Sequence, residues 1–393
     1  MSIVIGILAA FIAVILVRAI RFKPKNQPLG SSEPIEFDRQ AAIDALQKLV
    51  QCKTISAYDH ADEDEAEFQK LIDALPGLYP KVFETCSLLT LPNRGLLFRW
   101  AGKQAEKPSV MMAHYDVVPV NEENWDKPPF DAIIEDGHLW GRGTLDTKGT
   151  FNAIFSAANH LIGEGFVPEH DIYFAFSGGE EVNGKGAPTI VDWFEEKGIV
   201  PGVVVDEGGA VVENVFPGVK QPCGLIGIAE KGMMNAQFRA VSPGGHASAP
   251  KPNMPVDVLS KTCVDVLSHP FKMHVTKPVA EMFDTLGRHS TFLYRMIFAN
   301  LWCFGWVLDL LGKSSGGEMN ALLRTTVAFT QMEGSSARNV IPPEAKMVAN
   351  MRLNPADSVD SALDYLKKTV GNDAVEITSL ESTEPSRISR TDC

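Results

Sequence analysis

The sequence predicts an α/β fold with a mixed, mostly parallel sheet, on two observations. Short apolar runs typical of buried parallel strands occur at residues 109–113, 172–176 and 203–205. Segments with helical periodicity lie between them, at residues 152–161 and 191–197. Strands that alternate with helices build such a sheet, and it places its functional residues at the carboxyl ends of the strands.

Composition excludes several classes of protein. A chain of 393 residues, 45% of them hydrophobic, is long enough for two or more globular domains. Its net charge of −13, with no basic stripe, argues against nucleic acid as a partner. The six cysteines form no CxxC pair, so neither a zinc ribbon nor a disulfide framework is indicated. Gly141 and Gly143 lack the third glycine of a dinucleotide-binding loop.

The N-terminus carries an apolar run, residues 2–20, interrupted only by Arg18. At about 1.5 Å per residue, a helix of this length reaches about 30 Å and can cross the hydrocarbon core of a membrane. We interpret it as an uncleaved single-pass membrane anchor. The alternative is a cleaved signal peptide followed by secretion, which is disfavoured because no Lys or Arg precedes the apolar run. The orientation of the anchor is left open.

Polar residues at four junctions point to a metal site. They are His114 with Asp116, Asp146, the pair Glu180 and Glu181, and the pair Asp206 and Glu207. One such junction is ordinary at the end of a strand, but four along one sheet edge gather carboxylates that repel one another unless a cation neutralises them. Histidine and carboxylates without thiolate suit zinc, with manganese or cobalt as substitutes. Asp116 is placed to hydrogen-bond the His114 imidazole.

These motifs resemble the dinuclear-zinc aminoacylase and carboxypeptidase family, which includes glutamate carboxypeptidase and succinyl-diaminopimelate desuccinylase. The similarity covers residues 36–393 and is closest to the branch of carboxypeptidase S and the N-fatty-acyl-amino-acid hydrolase/synthases. It implies a zinc-peptidase catalytic domain with an inserted α+β lid or dimerisation domain. The matching motifs are Ala113-His114-Tyr115-Asp116, the stretch from Gly141 to Gly149, Gly179-Glu180-Glu181 and Asp206-Glu207-Gly208.

The resemblance implies a ligand set for two zinc ions. His114 and Asp206 would bind one ion and Glu181 the other. Asp146 would bridge the two, with a cis peptide bond to Thr147. The family supplies a further ligand from a histidine near its C-terminus, whereas the last histidine of this sequence is His289. We therefore expect a truncated sequence or a fragment, in which the zinc ion at Glu181 lacks one ligand.

The resemblance also implies the remaining catalytic and substrate-binding roles. Glu180 would be the general base that activates the water between the ions. His246 would complete the oxyanion hole, and Asn339 and Arg352 would hold the carboxylate or carbonyl of the substrate. Without the resemblance, His246 is equally well a turn histidine and Arg352 a strand arginine that faces solvent.

The function that follows is a zinc-dependent amide or peptide hydrolase, a carboxypeptidase or N-acyl-amino-acid hydrolase. Its substrate would be a small peptide or an N-acyl amino acid. The alternative is an inactive truncated homologue that serves as a binding or dimerisation module. Metal analysis separates the two, because only the hydrolase needs both ions.

The chain divides into five predicted segments. They are a membrane anchor or signal (residues 1–21), a linker (22–36), the first part of the catalytic domain (37–226), the inserted domain, which could form a homodimer (227–353), and an incomplete second part of the catalytic domain (354–393). A second membrane span at residues 291–311 is disfavoured, because Arg295, Asn300 and Asp309 make insertion costly. We expect a buried or lipid-facing helix there.

Overall fold

The computed structural model describes residues 2–25, 34–214, 216 and 218–391. Most of the predicted linker, residues 26–33, lies outside the described residues. The chain divides into two compact units. Residues 30–208 form the mixed-sheet unit, and residues 1–29 with 209–393 form the antiparallel unit.

Polar side chains cap the starts of several helices. Helix α2, for example, is capped by Asp38, whose carboxylate accepts the N–H of Ala41 at 2.9 Å. In chain order the helices are α1 (Ser2–Arg21), α2 (Arg39–Val50), α3 (Glu65–Leu78), α4 (Pro80–Thr85), α5 (Lys148–Gly163), α6 (Gly186–Glu196), α7 (Pro255–Ser268), α8 (Lys277–His289), α9 (Phe292–Phe298), α10 (Leu301–Ser315), α11 (Gly317–Leu323) and α12 (Val359–Val370).

The strands form one larger sheet in each unit, together with short two-stranded pairs. They are β1 (Ser87–Leu91), β2 (Gly95–Trp100), β3 (Gln104–His114), β4 (Ile133–Glu135), β5 (His138–Trp140), β6 (His170–Ser177), β7 (Val203–Val205), β8 (Ala210–Val212), β9 (Cys223–Leu225), β10 (Gly232–Val241), β11 (Gly245–His246), β12 (Thr326–Glu333), β13 (Val340–Ile341), β14 (Glu344–Leu353) and β15 (Val375–Thr383).

The sheet of the mixed-sheet unit has the order β1-β2-β6-β3-β7. Strand β3 is parallel to both β6 and β7, and β1 and β2 are antiparallel. Successive side chains of a strand point to opposite faces, so two cores form. On one face Phe174 and Phe176 pack with α5, and on the other Tyr173 packs with α6. The predicted α/β layer is therefore present.

Strand β7 differs from the prediction of a buried strand at residues 203–205. It is parallel to β3, as expected, but it is an edge strand of the sheet. Its side chains are exposed at 43% (Val203), 52% (Val204) and 48% (Val205). The prediction of burial is wrong because an apolar run alone does not reveal whether a second strand or a helix covers it.

The sheet of the antiparallel unit has the order β12-β14-β10-β15, and α7 and α12 pack against it. Burial alternates along β10 and β14, which indicates one covered face. The sequence analysis assigned residues 354–393 to the catalytic domain. In the structure they instead complete this sheet, because β15 pairs with β10 from Met233 to Ala240.

The apolar segment at residues 291–311 is two helices instead of one. Helices α9 and α10 meet at an angle of 109°. The break is at Asn300, whose buried side-chain amide donates to the carbonyls of Met296 (2.9 Å) and of Ile15 in α1 (3.1 Å). Among the described residues, α1 is long and apolar enough to cross a membrane. Helices α9 and α10 meet the same criterion only if they are taken together as one broken span. A signal sequence has the same properties.

Candidate metal centre

Three parallel strands of the mixed-sheet unit end at one edge of the sheet. Strand β3 ends at His114, which is the register partner of Ser177, the last residue of β6. A short 3₁₀ turn, Glu180–Val182, follows β6. Strand β7 ends at Val205, beside Met111 of β3, and Asp206 and Glu207 come next. The strand directions therefore bring three of the four predicted junctions to one place.

The geometry gathers one imidazole and two carboxylates into a group that can hold a metal ion. His114 Nε2 lies 2.9 Å from Asp146 Oδ1 and 3.7 Å from Glu207 Oε1. One ligand atom from each of these three residues lies within 4.8 Å of the others. Glu180 Oε2 is 3.9 Å from the same imidazole nitrogen. Nitrogen and carboxylate oxygen donors without thiolate fit a zinc ion.

The electrostatics of this group favour a bound cation. Burial lowers the pKa of His114, but the carboxylates of Asp116, Glu207 and Asp146 outweigh it and raise that pKa to about 9. Burial, reinforced by neighbouring carboxylates, raises the pKa of Glu180 and of Glu207. Clustered carboxylates stabilise positive charge and repel one another without it, so the donor set suits a metal ion.

Asp116 connects the imidazole to the glutamate pair. Its carboxylate is buried and lies 3.4 Å from His114 Nδ1. It accepts the backbone N–H groups of Glu180 and Glu181, each at 3.1 Å, and the hydroxyl of Ser56 at 2.7 Å. Burial raises the pKa of Asp116, but these bonds and His114 lower it below its ordinary value. Ser56 was missed by the sequence analysis, since no motif marks it.

The loop that carries Asp146 is held by its neighbours in the chain. The peptide bond between Asp146 and Thr147 is cis, as the resemblance implies. The buried ammonium of Lys148 donates to the carbonyls of Leu49 (3.0 Å) and Cys52 (2.6 Å), and burial lowers its pKa to about 8. These contacts fix the start of α5 against the end of α2.

Two predicted ligands lie beside the group without joining it. The Asp206 carboxylate accepts the N–H of Glu207 at 2.9 Å, and it is Glu207 that enters the group. For Glu181, burial and then the charge of Asp146 raise the pKa of its carboxyl. The roles of Asp206 and Glu181 stay predictions. Glu207 belongs to a predicted junction, but its role as a ligand was not predicted, because the strand pattern does not decide which of two successive carboxylates faces the site.

The predicted substrate-binding residues belong to the antiparallel unit. His246 on β11 pairs with Val340 on β13, and the Ala247 N–H donates to the Asn339 carbonyl at 3.0 Å. His246 and Asn339 are therefore neighbours. Arg352 is exposed at the far end of β14, eight residues beyond the start of that strand, or roughly 27 Å along it. The structure does not bring Arg352 to the other two.

Comparison with known proteins identifies the family. The profile of peptidase family M20/M25/M40 matches residues 110–392. The chain belongs to this family. It is 32% identical over 400 residues to a probable carboxypeptidase S-like 2 of Dictyostelium discoideum, covering 98% of this chain and 77% of the relative. It is 31% identical over 396 residues to the N-fatty-acyl-amino acid synthase/hydrolase PM20D1 of Xenopus tropicalis, with the same coverage.

Solved structures of M20 proteins share the fold. The M20 family metallo-carboxypeptidase Sso-CP2 from Sulfolobus solfataricus superposes with a TM-score of 0.58 at 18% identity, covering 89% of this chain and 80% of that one. The predicted family and the α/β fold with a mixed sheet are thus confirmed, and the chain is a hydrolase of the M20 type. The lid or dimerisation role of the inserted domain stays a prediction.

Proposed function

We propose that this M20 member is a zinc-dependent hydrolase that cleaves the amide bond of N-acyl amino acids or small peptides beside a free carboxylate. One observation carries the proposal: His114, Asp146 and Glu207 meet at the sheet edge with Glu180 next to them. The substrate class is supported by the names of the relatives, a carboxypeptidase S-like protein and an N-fatty-acyl-amino acid synthase/hydrolase.

The metal would be held by the residues that converge here. His114, Asp146 and Glu207 offer the donor atoms of one ion, and Glu181 and Asp206 are the further ligands that the resemblance implies. When bound, zinc ions polarise the substrate carbonyl and lower the pKa of a water molecule.

Glu180 is the group that moves the proton. Its side chain is 52% exposed and so can reach the substrate, while its backbone is held by Asp116. The carboxylate accepts the proton of the attacking water and returns it to the leaving amine.

The remaining roles that the resemblance implies belong to residues of the antiparallel unit. His246 Nδ1 lies 2.7 Å from the Ser248 hydroxyl, so its Nε2 is the nitrogen left to donate to the developing oxyanion. Asn339, its neighbour, would bind the carbonyl. The binding of the free carboxylate by Arg352 stays an implication of the resemblance, because Arg352 lies at the far end of β14 from His246 and Asn339.

The test replaces the proposed base without changing its size. In Glu180→Gln, hydrolysis of an N-acyl amino acid is expected to fall by at least about 100-fold, because the amide cannot accept the proton. Zinc content, measured on the same preparation, should not change. The matched control is Glu164→Gln, an exposed glutamate at the end of α5, which should keep full activity.

Two results would contradict the proposal. If Glu180→Gln hydrolysed the substrate at the rate of the native chain, another group would be the base. If the native chain held no zinc and had no activity, the alternative of an inactive binding module would be correct. Two tightly held zinc ions per chain would exclude that alternative.

A further inference from the structure

The antiparallel unit carries a long apolar helix that is exposed over most of its length. Every residue of α1 from Ser2 to Val14 is exposed, and only Ile15 and Ala19 are buried. Helix α1 is long and apolar enough to cross a membrane, and Arg18 and Arg21 lie in its last turn. At about 1.5 Å per residue, the two buried residues lie roughly 3 to 9 Å from the Arg21 end.

Polar contacts attach α1 to the bend between α9 and α10. The Arg18 guanidinium donates to the carbonyl of Ala299, the residue that ends α9, at 3.0 Å. The Asn300 amide donates to the Ile15 carbonyl, and Phe11 and Trp302 pack edge to face at 5.7 Å. Polar groups that pair between helices hold them together in an apolar environment.

Helix α10 presents an apolar stripe beside α1. Trp302, Trp306 and Leu310 are spaced by four residues, so they lie on one face. They are 59%, 67% and 57% exposed. This helix has two charged residues, and Asp309 pairs both with the buried Arg324 and with Lys313, each at 2.7 Å. The polar side of α10 therefore makes its ion pairs within the antiparallel unit, whereas the apolar stripe is exposed at the surface.

We propose that α10 lies in the membrane interface next to α1, so that the antiparallel unit rests on the bilayer through two elements. The occupant of the apolar stripe is lipid, because the stripe is continuous with a helix long enough to span the bilayer. The bend of α9 and α10 lies within about 10 Å of the Arg21 end of α1, and Trp302 contacts Phe11 about 15 Å from that end, so Trp302 lies among the acyl chains below the headgroups. Arg21 and Lys23 then face the phosphates.

The test measures whether lipid reaches the tryptophans of α10. The full chain is reconstituted into phosphatidylcholine vesicles that carry bromine on the acyl chains, either near the headgroup or near the chain ends. Bromine quenches tryptophan only on contact, and α1 contains no tryptophan. Quenching of the α10 tryptophans is expected.

The double variant Trp302→Phe, Trp306→Phe should lose this quenched component. It keeps the apolar surface and the fold, which circular dichroism would check. The matched control is Trp140→Phe, which removes a 42% exposed tryptophan from the mixed-sheet unit and should retain the quenching. The readout is fluorescence alone, so it is independent of whether the chain hydrolyses N-acyl amino acids.

The proposal is overturned if the double variant is quenched as strongly as the native chain. It is also overturned if vesicles that carry the native chain show no quenching. The stripe would then face water or a second copy of the chain. A crosslink between two chains through Cys303 of α10 would identify the second copy as the occupant.

Discussion

The two units use strand direction differently. In the mixed-sheet unit, β3, β6 and β7 are parallel, and their carboxyl ends deliver His114, Glu180 and Glu207 to one edge. In the antiparallel unit, all pairs of the four-stranded sheet are antiparallel, so polar residues that follow its strands are divided between two edges. Arg352 accordingly lies at the opposite end of β14 from His246 and Asn339. Parallel strands bring the polar residues that follow them to one edge of a sheet, whereas antiparallel strands place such residues at both edges.

The cores of the two units differ as well. The mixed-sheet unit packs aromatic rings around Phe155, which contacts Phe98 (4.9 Å), Phe176 (5.0 Å) and three further rings. The buried face of the antiparallel sheet is rich in methionine and alanine side chains of its own strands, such as Met347 and Ala349. When a core side chain is truncated, rigid aromatic rings can move little into the cavity, whereas flexible methionine side chains can partly fill it.

The largest effect is expected for Phe155→Ala. It removes a fully buried ring and should lower the free energy of unfolding by about 3–5 kcal/mol. In Met347→Leu, a swap of similar volume in the other core, the loss should stay below about 1.5 kcal/mol. Amide hydrogen exchange at β6 and β10 assigns each loss to its unit. Equal losses would refute the contrast between the two cores.

Glu63→Gln tests an ion pair near the edge that carries the site. The buried Glu63 carboxylate accepts from Arg94 at 2.7 Å, and Arg94 also pairs with the exposed Glu65. Breaking a buried pair costs about 3–5 kcal/mol, and breaking an exposed one about 1 kcal/mol or less. Chemical denaturation should therefore separate Glu63→Gln from its matched control, Glu65→Gln. Similar values for both would contradict the burial of the pair.

The same variant should show a pH dependence. Burial raises the pKa of Glu63, but hydrogen bonds from Arg94, Ala57 and His60 outweigh it, and the net pKa is lowered. The stabilisation is therefore present above the ordinary value of 4.5 and is lost as pH falls through the lowered pKa. The difference in stability between native chain and Glu63→Gln should shrink below about pH 4.5.

Asp116→Asn tests the edge at which the site lies. An amide keeps the shape but not the charge that orients His114, so zinc affinity should fall by about 10–100-fold in a competition titration. The matched control is Asp171→Asn, a buried aspartate at the opposite, amino end of β6, bound to Arg99 at 2.7 Å. Its zinc affinity should be unchanged. Equal losses in both variants would indicate a general effect of buried charge.

The sequence predicted the features that follow from the order of the strands. It could not predict the direction of a single side chain or a contact between residues far apart in the sequence. Apolar runs that end in His114, Glu180 and Asp206 indicated the edge because parallel strands share it. Whether Glu207 or its neighbour points into the site depends on the backbone conformation after β7, which the pattern does not give. Ser56 is 60 positions from its partner Asp116, so no local pattern connects the two. The break at Asn300 was missed because the apolar pattern continues through it.

The smallest effect is expected for Lys231, in the antiparallel unit. Burial, with the charge of Arg352, lowers its pKa to about 8 from the ordinary 10.5, while its ammonium donates to the Ala321 carbonyl at 2.8 Å. Between these values the unfolded chain binds a proton that the folded chain has released, so stability rises with pH there.

The melting temperature of the native chain relative to Lys231→Met should therefore increase between pH 8 and pH 10. The matched control, Lys277→Met, removes an exposed lysine on α8 that pairs with Glu281, and its difference from the native chain should not change over that range. A constant difference for Lys231→Met would mean that solvent reaches the ammonium of Lys231 in the native chain. The antiparallel unit would then leave Lys231 accessible to water, whereas the mixed-sheet unit buries Lys148.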